Sequence, residues 1–497
     1  MRALVEAVLV AFVFLGTAPL LINAYQYLII GGHRSARRNH YALADRHLPN
    51  TAVLVPAWNE AAVLDASIDQ LLALDYPKDR LRVYVVDDAS TDGTPALMAR
   101  KAEAYPGAVV HLRRERGGEG KAHTLNHGLE QILADPWVEA VLIMDADVVY
   151  EPSALRRMAR HLADSGVGAV TAYIKEGSER GGTVQRFIAY EYITGQAAAR
   201  RAQNVLGVLA CLAGGAQLHS RANLEAIGGR IDTSSLAEDT FTTFRTQLEG
   251  RRVVFEGNAV VWAEEPDDLG ALWKQRLRWS RGNVQVTRAH KHLWFRPFTR
   301  GHRLGSASFG LIWFATLLLP VVMILSSAGL VGLWFVDRDL AATTFRFLWV
   351  VNALTFVFTT SFALLLDPAT ARKTWREALL FPGAVSFTFI LYGCFPRLLR
   401  WIGEGLSSLS GVRLNDLGVD LVMLAAYVWV SLCMVAAWGL VRASSRLPKW
   451  LSGLGLYLVG FGPVLCAITF TAYVKEARGA EQVWDKTEKT GRVALRS

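Results

Sequence analysis

Apolar and polar positions are spread unevenly along the chain, and that unevenness predicts its organisation. Residues 7–30 form one apolar run, long enough for a membrane-crossing helix, which needs about 20 such residues. The run is too long for the apolar core of a signal peptide and lacks a small-residue cleavage site, so it predicts a retained transmembrane helix. From residue 51 the pattern changes. Short apolar runs ending in polar tips, at 51–60, 81–94, from 109 and at 141–152, alternate with helical periodicity. Strands alternating with helices predict right-handed crossovers and a mostly parallel α/β sheet. Residues 269–293 read as an amphipathic helix. Apolar stretches then follow at 309–335, 347–366, 378–399, 419–441 and 451–474, joined by short polar loops. The third is interrupted by Pro382, Gly383, Gly393 and Pro396 and ends in Arg397, Arg400 and Trp401. It is expected to be interfacial or re-entrant, which leaves four spans after the aqueous domain and a cytoplasmic tail. The basic loop 442–449 argues against that count, because it then falls outside. The predicted divisions are an N-terminal span (1–32), an aqueous domain (33–268), interface helices (269–304), a membrane bundle (305–474) and a polar tail (475–497).

Composition sharpens this division. Of 497 residues, 52% are hydrophobic, yet 53 are Lys or Arg and the net charge is +9. Such a charge raises nucleic acid as a partner. However, Arg34, Arg37, Arg38 and Arg46 directly follow the first apolar run, and Arg296, Arg300 and Arg303 precede the next. Basic residues so placed mark the cytoplasmic side and attract anionic headgroups. They predict a lipid bilayer as partner, no nucleic acid, and a multi-pass protein of the cell (inner or plasma) membrane with its aqueous domain in the cytoplasm. Cys211, Cys394, Cys433 and Cys466 read as small buried hydrophobes rather than disulfides or zinc ligands.

Candidate chemistry begins with Asp145 and Asp147. On a strand, alternate residues share a face, so both are expected to project together at the C-terminal edge, where open α/β sheets bind ligands. Two hard oxygen ligands suit Mg²⁺ or Mn²⁺, which in turn hold a diphosphate. Two acids at a strand end are by themselves as readily a solvated terminus. Asp88 ends the second predicted strand, where a nucleoside can be held, and Lys121 follows glycines that let backbone approach a phosphate. An ordinary turn acid and a loop lysine are the alternatives. His123 and His127 stand four apart, but Thr124 follows His123 where a zinc-protease pair has glutamate, so no metal role is assigned to them. The small-residue segment 211–221 can let a flat substrate lie close to backbone. Glu238 and Asp239 open a helix, as its dipole favours. Capping alone accounts for them, whereas a functional reading makes Asp239 a general base in a partly desolvated pocket. Gln275, Arg278 and Trp279 share a helix face through i, i+3, i+4 spacing. An Arg with a Trp suits a diphosphate and the flat face of a sugar, although Trp273 and Trp279 equally suit a helix lying among lipid headgroups.

Taken in order, these pieces resemble the processive family-2 glycosyltransferases, the group of cellulose, chitin, hyaluronan and poly-N-acetylglucosamine synthases. The pieces are Pro56-Ala-Trp-Asn-Glu60, Val86-Asp-Asp-Ala-Ser-Thr-Asp-Gly-Thr94, Gly120-Lys-Ala122 with Leu125-Asn126, Asp145-Ala-Asp147, Glu238-Asp239 and Gln275-Arg-Leu-Arg-Trp279. No single piece is specific; their order between membrane flanks is. The resemblance implies a GT-A fold, a UDP-sugar donor, Mg²⁺ or Mn²⁺, and a growing polysaccharide or lipid acceptor, with room for an accessory subunit. It places Ala57, Glu60, Asp88, Lys121 and Asp145 at the donor nucleotide and Asp147 with Asp145 at the metal. It makes Asp239, with Glu238 beside it, the catalytic base, and sets Gln275, Arg278 and Trp279 on the diphosphate and acceptor. One inverting displacement then gives a β-linked product. Ala237 stands where the family often has threonine, and neither the hyaluronan-type Gly-Asp-Asp nor the cellulose-synthase Phe-x-Val-Thr motif is present. The 274–279 string is most similar to poly-N-acetylglucosamine synthases. Trp484 and Thr487 distantly resemble a Trp-Gly-Thr-Arg segment of chitin and hyaluronan synthases.

Two rival classes share features with this reading. A non-processive transferase adding one sugar to a lipid shares the acids and the base, and product length separates it from a synthase. A transporter or receptor with a nucleotide-sensing domain predicts no UDP release. The identity of the sugar, glucose or N-acetylglucosamine, is left open.

Overall fold

A computed structural model describes residues 1–36, 46–178, 181–296, 301–395, 397, 416–481 and 493. Arg37, Arg38, Arg300, Arg400, Trp401, Trp484 and Thr487 lie outside the described residues. The chain forms two compact units. The first comprises Met1–Leu28, Asp268–Ser280 and Leu311–Gly479; the second comprises Ile29–Asp267, Arg281–Gly310 and the described residues from Ala480 on.

The second unit is built on an eight-stranded sheet of order β3-β2-β1-β4-β7-β6-β8-β5. Its strands are β1 (Thr51–Ala57), β2 (Leu81–Asp87), β3 (Val109–Arg113), β4 (Ala140–Ile143), β5 (Val148–Tyr150), β6 (Val167–Glu176), β7 (Gln217–Ser220) and β8 (Arg252–Ala263). β1 to β4 run parallel, with Val53 opposite Val83 and Leu142. These strands are near-continuous Val, Leu and Ile because a parallel sheet is covered on both faces. Leu125, Leu129 and Ile132 of the helix Lys121–Ala134 fill one face against Leu54, Val86, Val141 and Ile143. The helix comes this close because Gly128 has no side chain; a Cβ there would lie 2.4 Å from Leu54 Cδ1.

The far half of the sheet is mixed. β7 is antiparallel to both β4 and β6, β5 is antiparallel to β8, and β6 and β8 are parallel. This corrects the strand expected at 141–152. The apolar run breaks after Ile143, and Val148–Tyr150 pairs with β8 at the opposite edge. Burying carboxylates inside a central strand is costly, and the chain leaves the sheet before Asp145. Asp145 and Asp147 therefore sit in the β4–β5 connection rather than on one strand face.

Among the described residues of the first unit, three helices are long and apolar enough to cross a membrane, Leu319–Val336, Arg338–Leu366 and Met423–Ser444. Up to five spans result if two bent pairs each count as one: Arg2–Leu15 with Ala18–His33, bent by 44°, and Lys449–Val459 with Phe461–Ala477, bent by 89°. The single N-terminal helix expected at 7–30 is thus two. Gly16 marks the break, and a Cβ there would lie 2.6 Å from Ser326 Oγ. The stretch expected at 309–335 also divides, into Ala307–Leu317 and Leu319–Val336, with Pro320 in the first turn of the second. Pro has no N–H to donate, so it is tolerated there and not mid-helix. Within 378–399 the apolar helix is Ala384–Cys394, of 11 residues. At ~1.5 Å per residue it is about 16 Å long, short of a hydrocarbon core of about 30 Å.

Candidate active site

The tips of β1 and β2 are knitted together first. Asp88 donates its N–H to the Ala57 carbonyl at 2.8 Å. Asn59 and Ala89 both take left-handed backbone, at φ 52° and 56°, a conformation costly for residues with a Cβ and concentrated at functional sites. Asn59 Oδ1 accepts from the Thr91 N–H at 2.9 Å, and its own N–H donates to Ser90 Oγ at 2.9 Å. Glu60 donates its N–H to Thr94 Oγ1 at 2.9 Å and precedes the helix Ala61–Leu72. Asp88 is buried, is ion-paired with Arg114, and accepts the Gly118 N–H at 3.0 Å. It therefore fastens the glycine-rich loop to the sheet edge. Arg114 was not among the expected site residues; its sequence signal is a cation just past the end of a strand that faces two acids.

Lys121 is the first residue of its helix and follows Gly120 at φ 107°. Its Nζ lies 2.5 Å from Asp145 Oδ1, 3.6 Å from Glu238 Oε1 and 3.2 Å from the Gly214 carbonyl. Burial by itself lowers the pKa of this ammonium, but Asp145, Glu238 and Asp239 together outweigh burial and hold it above the usual lysine value. Asp239, second in the helix Glu238–Leu248, accepts from the Thr240 N–H through Oδ1 at 2.7 Å. Its other oxygen lies 3.3 Å from where a Gly214 Cβ would be, and Lys121 Nζ lies equally close to that point. A Cβ on Gly215 would lie 3.3 Å from Asp145 Oδ2. Gly214 and Gly215 thus form a side-chain-free floor between Asp145 and Asp239, within the small-residue segment expected to let substrate approach backbone. Tyr150 braces that floor, its hydroxyl donating to the Gly215 carbonyl at 3.1 Å. Burial, then the charge of Asp239, pushes the Cys211 thiol well above its ordinary value, so a neutral thiol stands beside Asp239.

The loop before Asp239 is clamped from the helix Leu269–Ala289. Gln285 Oε1 accepts from Ser235 Oγ and from the Leu236 N–H, both at 3.1 Å. A Cβ on Gly282 would fall 2.4 Å from the Ala237 Cβ, which accounts physically for alanine at a position too tight for a larger group. Gln275, Arg278 and Trp279 lie earlier on this helix, in the part belonging to the first unit. There the Arg276 guanidinium, not among the expected residues, sits 4.2 Å over the Trp279 ring, a cation–π contact that fixes the indole.

The acids fit a divalent cation. Asp145 already holds a cationic group, the Lys121 ammonium, beside the glycine floor. No group of three or more His, Cys, Asp or Glu residues able to enclose a metal occurs among the described residues.

Residues 49–282 match the family described as glycosyltransferase like family 2. The chain is 30% identical over 287 residues to a probable glycosyltransferase, YdaM, of Bacillus subtilis, covering 55% of this chain and 66% of the relative. It is 32% identical over 248 residues to the β-monoglucosyldiacylglycerol synthase of Synechocystis, covering 48% of each. It is 29% identical over 242 residues to the poly-β-1,6-N-acetyl-D-glucosamine synthase of Staphylococcus aureus, covering 48% of this chain and 56% of the relative. The matched region thus spans about half to two thirds of the length of these curated relatives. Among solved structures, a mannosyltransferase of Pyrobaculum calidifontis in complex with GDP-mannose and Mn²⁺ superposes with a TM-score of 0.54 at 24% identity. That match covers 80% of this chain and 99% of the other, and it bears on the fold alone. Residues 49–282 are a glycosyltransferase family-2 domain.

Proposed function

We propose that the protein is a membrane-embedded inverting glycosyltransferase that polymerises UDP-N-acetylglucosamine or UDP-glucose into a β-linked polysaccharide and passes it across the membrane. The observation that carries the reading is the convergence of Lys121, Asp145, Glu238 and Asp239 around the Gly214–Gly215 floor. The acceptor hydroxyl oxygen attacks the anomeric carbon, the bond from that carbon to the diphosphate breaks, and Asp239 takes the hydroxyl proton. Asp145 and Asp147 would hold Mg²⁺ or Mn²⁺, which when bound offsets charge on the departing UDP. Lys121 and Arg278 share that task, Ala57, Glu60 and Asp88 frame the nucleoside, and Gln275 and Trp279 orient the acceptor. The poly-N-acetylglucosamine synthase relative supports a polymer product.

A second reading, one sugar added to a lipid, is favoured by the similarity to a monoglucosyldiacylglycerol synthase. Purified protein incubated with a panel of radiolabelled UDP-sugars decides between them. The polymer reading requires UDP release with long products, and single-sugar lipid products would replace it with the second.

The domain is proposed to face the cytoplasm, with the tail on the same side. Single cysteines at Ser497 and Ser445, on a cysteine-free background, report this with an impermeant thiol reagent in intact cells. Labelling at Ser497 with silence at Ser445 would overturn it.

A further inference from the structure

We propose that Lys121 makes binding of the divalent cation depend on binding of the donor diphosphate. The inference rests on the reading above, in which Asp145 and Asp147 hold that cation. Its basis is the Lys121 side chain, which is 11% exposed and whose Nζ is 2.5 Å from Asp145 Oδ1, 3.6 Å from Glu238 Oε1 and 3.2 Å from the Gly214 carbonyl. One ammonium therefore connects an acid of the β4–β5 connection to the helix that carries Asp239. A divalent ion arriving at Asp145 and Asp147 meets this positive charge at van der Waals range, and the two compete for the same carboxylate. The competition ends when a group more negative than Asp145 draws the ammonium away.

A nucleoside diphosphate is such a group. Its phosphate oxygens accept the ammonium, Asp145 is released to the metal, and the metal binds the same phosphates. The Gly214–Gly215 floor puts no side chain of its own into that exchange; Lys121, Asp145 and Asp239 lie around it, together with the Val148 side chain. Coupling of this kind is reciprocal: the diphosphate tightens the metal by the factor by which the metal tightens the diphosphate. The effect is a site that does not retain a bare metal ion and is assembled by its substrate.

The test is Mn²⁺ binding to the full-length protein in detergent, followed by the electron paramagnetic resonance signal of free Mn²⁺, with and without UDP. Wild type should bind Mn²⁺ weakly alone and more tightly with UDP. Lys121→Met should bind Mn²⁺ alone about tenfold tighter or more, within the roughly 5–150-fold range of site coupling, and should lose most of the enhancement by UDP. Lys121→Arg, which keeps the charge, should behave like wild type. If Lys121→Met is poorly folded by thermal unfolding, Lys121→Gln is measured in its place. Equal or weaker Mn²⁺ binding by the neutral variant overturns the proposal. Asp147→Asn separates the two levels of inference. If it leaves Mn²⁺ binding intact, the assignment of the metal to these acids is wrong. If it weakens Mn²⁺ binding while the neutral Lys121 variant does not tighten it, only the coupling fails.

Discussion

The two units bury polar groups by different rules. In the family-2 domain buried charges meet opposite charges: Lys121 with Asp145 and Glu238, Arg114 with Asp88, and Arg160 with Glu256. In the helical unit buried hydroxyls turn back to carbonyls. Ser326 donates to Val13 O at 3.2 Å, Ser327 to Tyr427 O at 2.9 Å and Thr355 to Val351 O at 2.8 Å. Glu377, buried there, is met by the neutral hydroxyl of Tyr457. The difference follows from the solvent each unit is built for. An ion pair can be assembled and exchanged beside water, whereas apolar surroundings favour polar groups satisfied by main-chain carbonyls of the same or a neighbouring helix. The first unit should then be sensitive to shape and the second to charge.

The largest effects should come from single charges in the second unit. On the proposed function, Asp147→Asn removes one anionic metal ligand without changing size, and UDP release should fall below detection while the protein stays folded and membrane-inserted. Unchanged release in excess chelator would remove the metal from the mechanism. Asp239→Asn abolishes proton acceptance, so turnover at saturating donor should fall by ~10²–10⁴-fold, with donor affinity largely kept. Lost donor binding with a normal saturated rate would make Asp239 a binding residue instead.

Charge also matters in that unit away from the site. Glu256, fully buried, accepts from Arg160 at 2.7 Å, pairs with His161 at 2.8 Å and accepts the Asn258 N–H at 2.9 Å. Burial raises its pKa, but the hydrogen bonds from His161 and Arg160 outweigh burial and set it at about 2. A carboxylate whose folded pKa lies below its unfolded value of about 4.3 adds stability that is fully present above that value. The contribution is lost as the pH falls towards about 2. Glu256→Gln leaves Arg160 without its anion and should cost about 3–5 kcal/mol at neutral pH, read from chemical unfolding of the domain. The gap between wild type and variant should close on acidification through this window. A gap that stays constant with pH would show that Glu256 is not ionised in the fold.

Legibility in the sequence divides along the same line. β1, β2 and β3 begin where their apolar runs do, at Thr51, Leu81 and Val109, and a helix follows the glycine-rich loop, starting at Lys121. Local signals suffice there, because a strand covered on both faces and its polar tip are written in adjacent residues. The 141–152 run misled for the converse reason: Val148–Tyr150 is apolar enough to continue β4, and only its distant partner β8 claims it. β6, β7 and β8 carry no motif, so the mixed half of the sheet was not foreseen. Within the site, the expected acids Asp145, Glu238 and Asp239 do converge on Lys121. Arg114 and Tyr150 were missed because each acts through a neighbour that only the fold supplies. In the helical unit hydropathy marks apolar stretches well, but breaks at Gly16, Gly383 and Gly460 depend on what packs against them.

Those glycines give the smallest expected effects and the sharpest contrast of shape with charge. Gly383 and Gly460 take φ 91° and 100°, each at the start of a half-helix. They also pack on one another: a Cβ on Gly383 would lie 2.3 Å from Val459 O, and one on Gly460 would lie 2.4 Å from the Pro382 carbonyl carbon. Alanine at either position meets an unfavourable left-handed backbone, at about 1–2 kcal/mol, and an overpacked contact, at about 1–3 kcal/mol. Both neighbours are main chain and cannot swing aside as a side chain would. Thermal unfolding of the detergent-solubilised protein should therefore shift down by several degrees for Gly383→Ala and for Gly460→Ala. Gly439 is the control. It lies inside the helix Asp416–Ser444 with nothing within 4 Å of its Cβ position, so alanine there should stabilise by about 0.5–1 kcal/mol through helix propensity alone. All three substitutions add the same methyl group and no charge, so only backbone shape and packing distinguish them. Equal shifts for all three would mean that the abutting helix breaks contribute nothing specific, and the contrast between the two units would reduce to the charges of one.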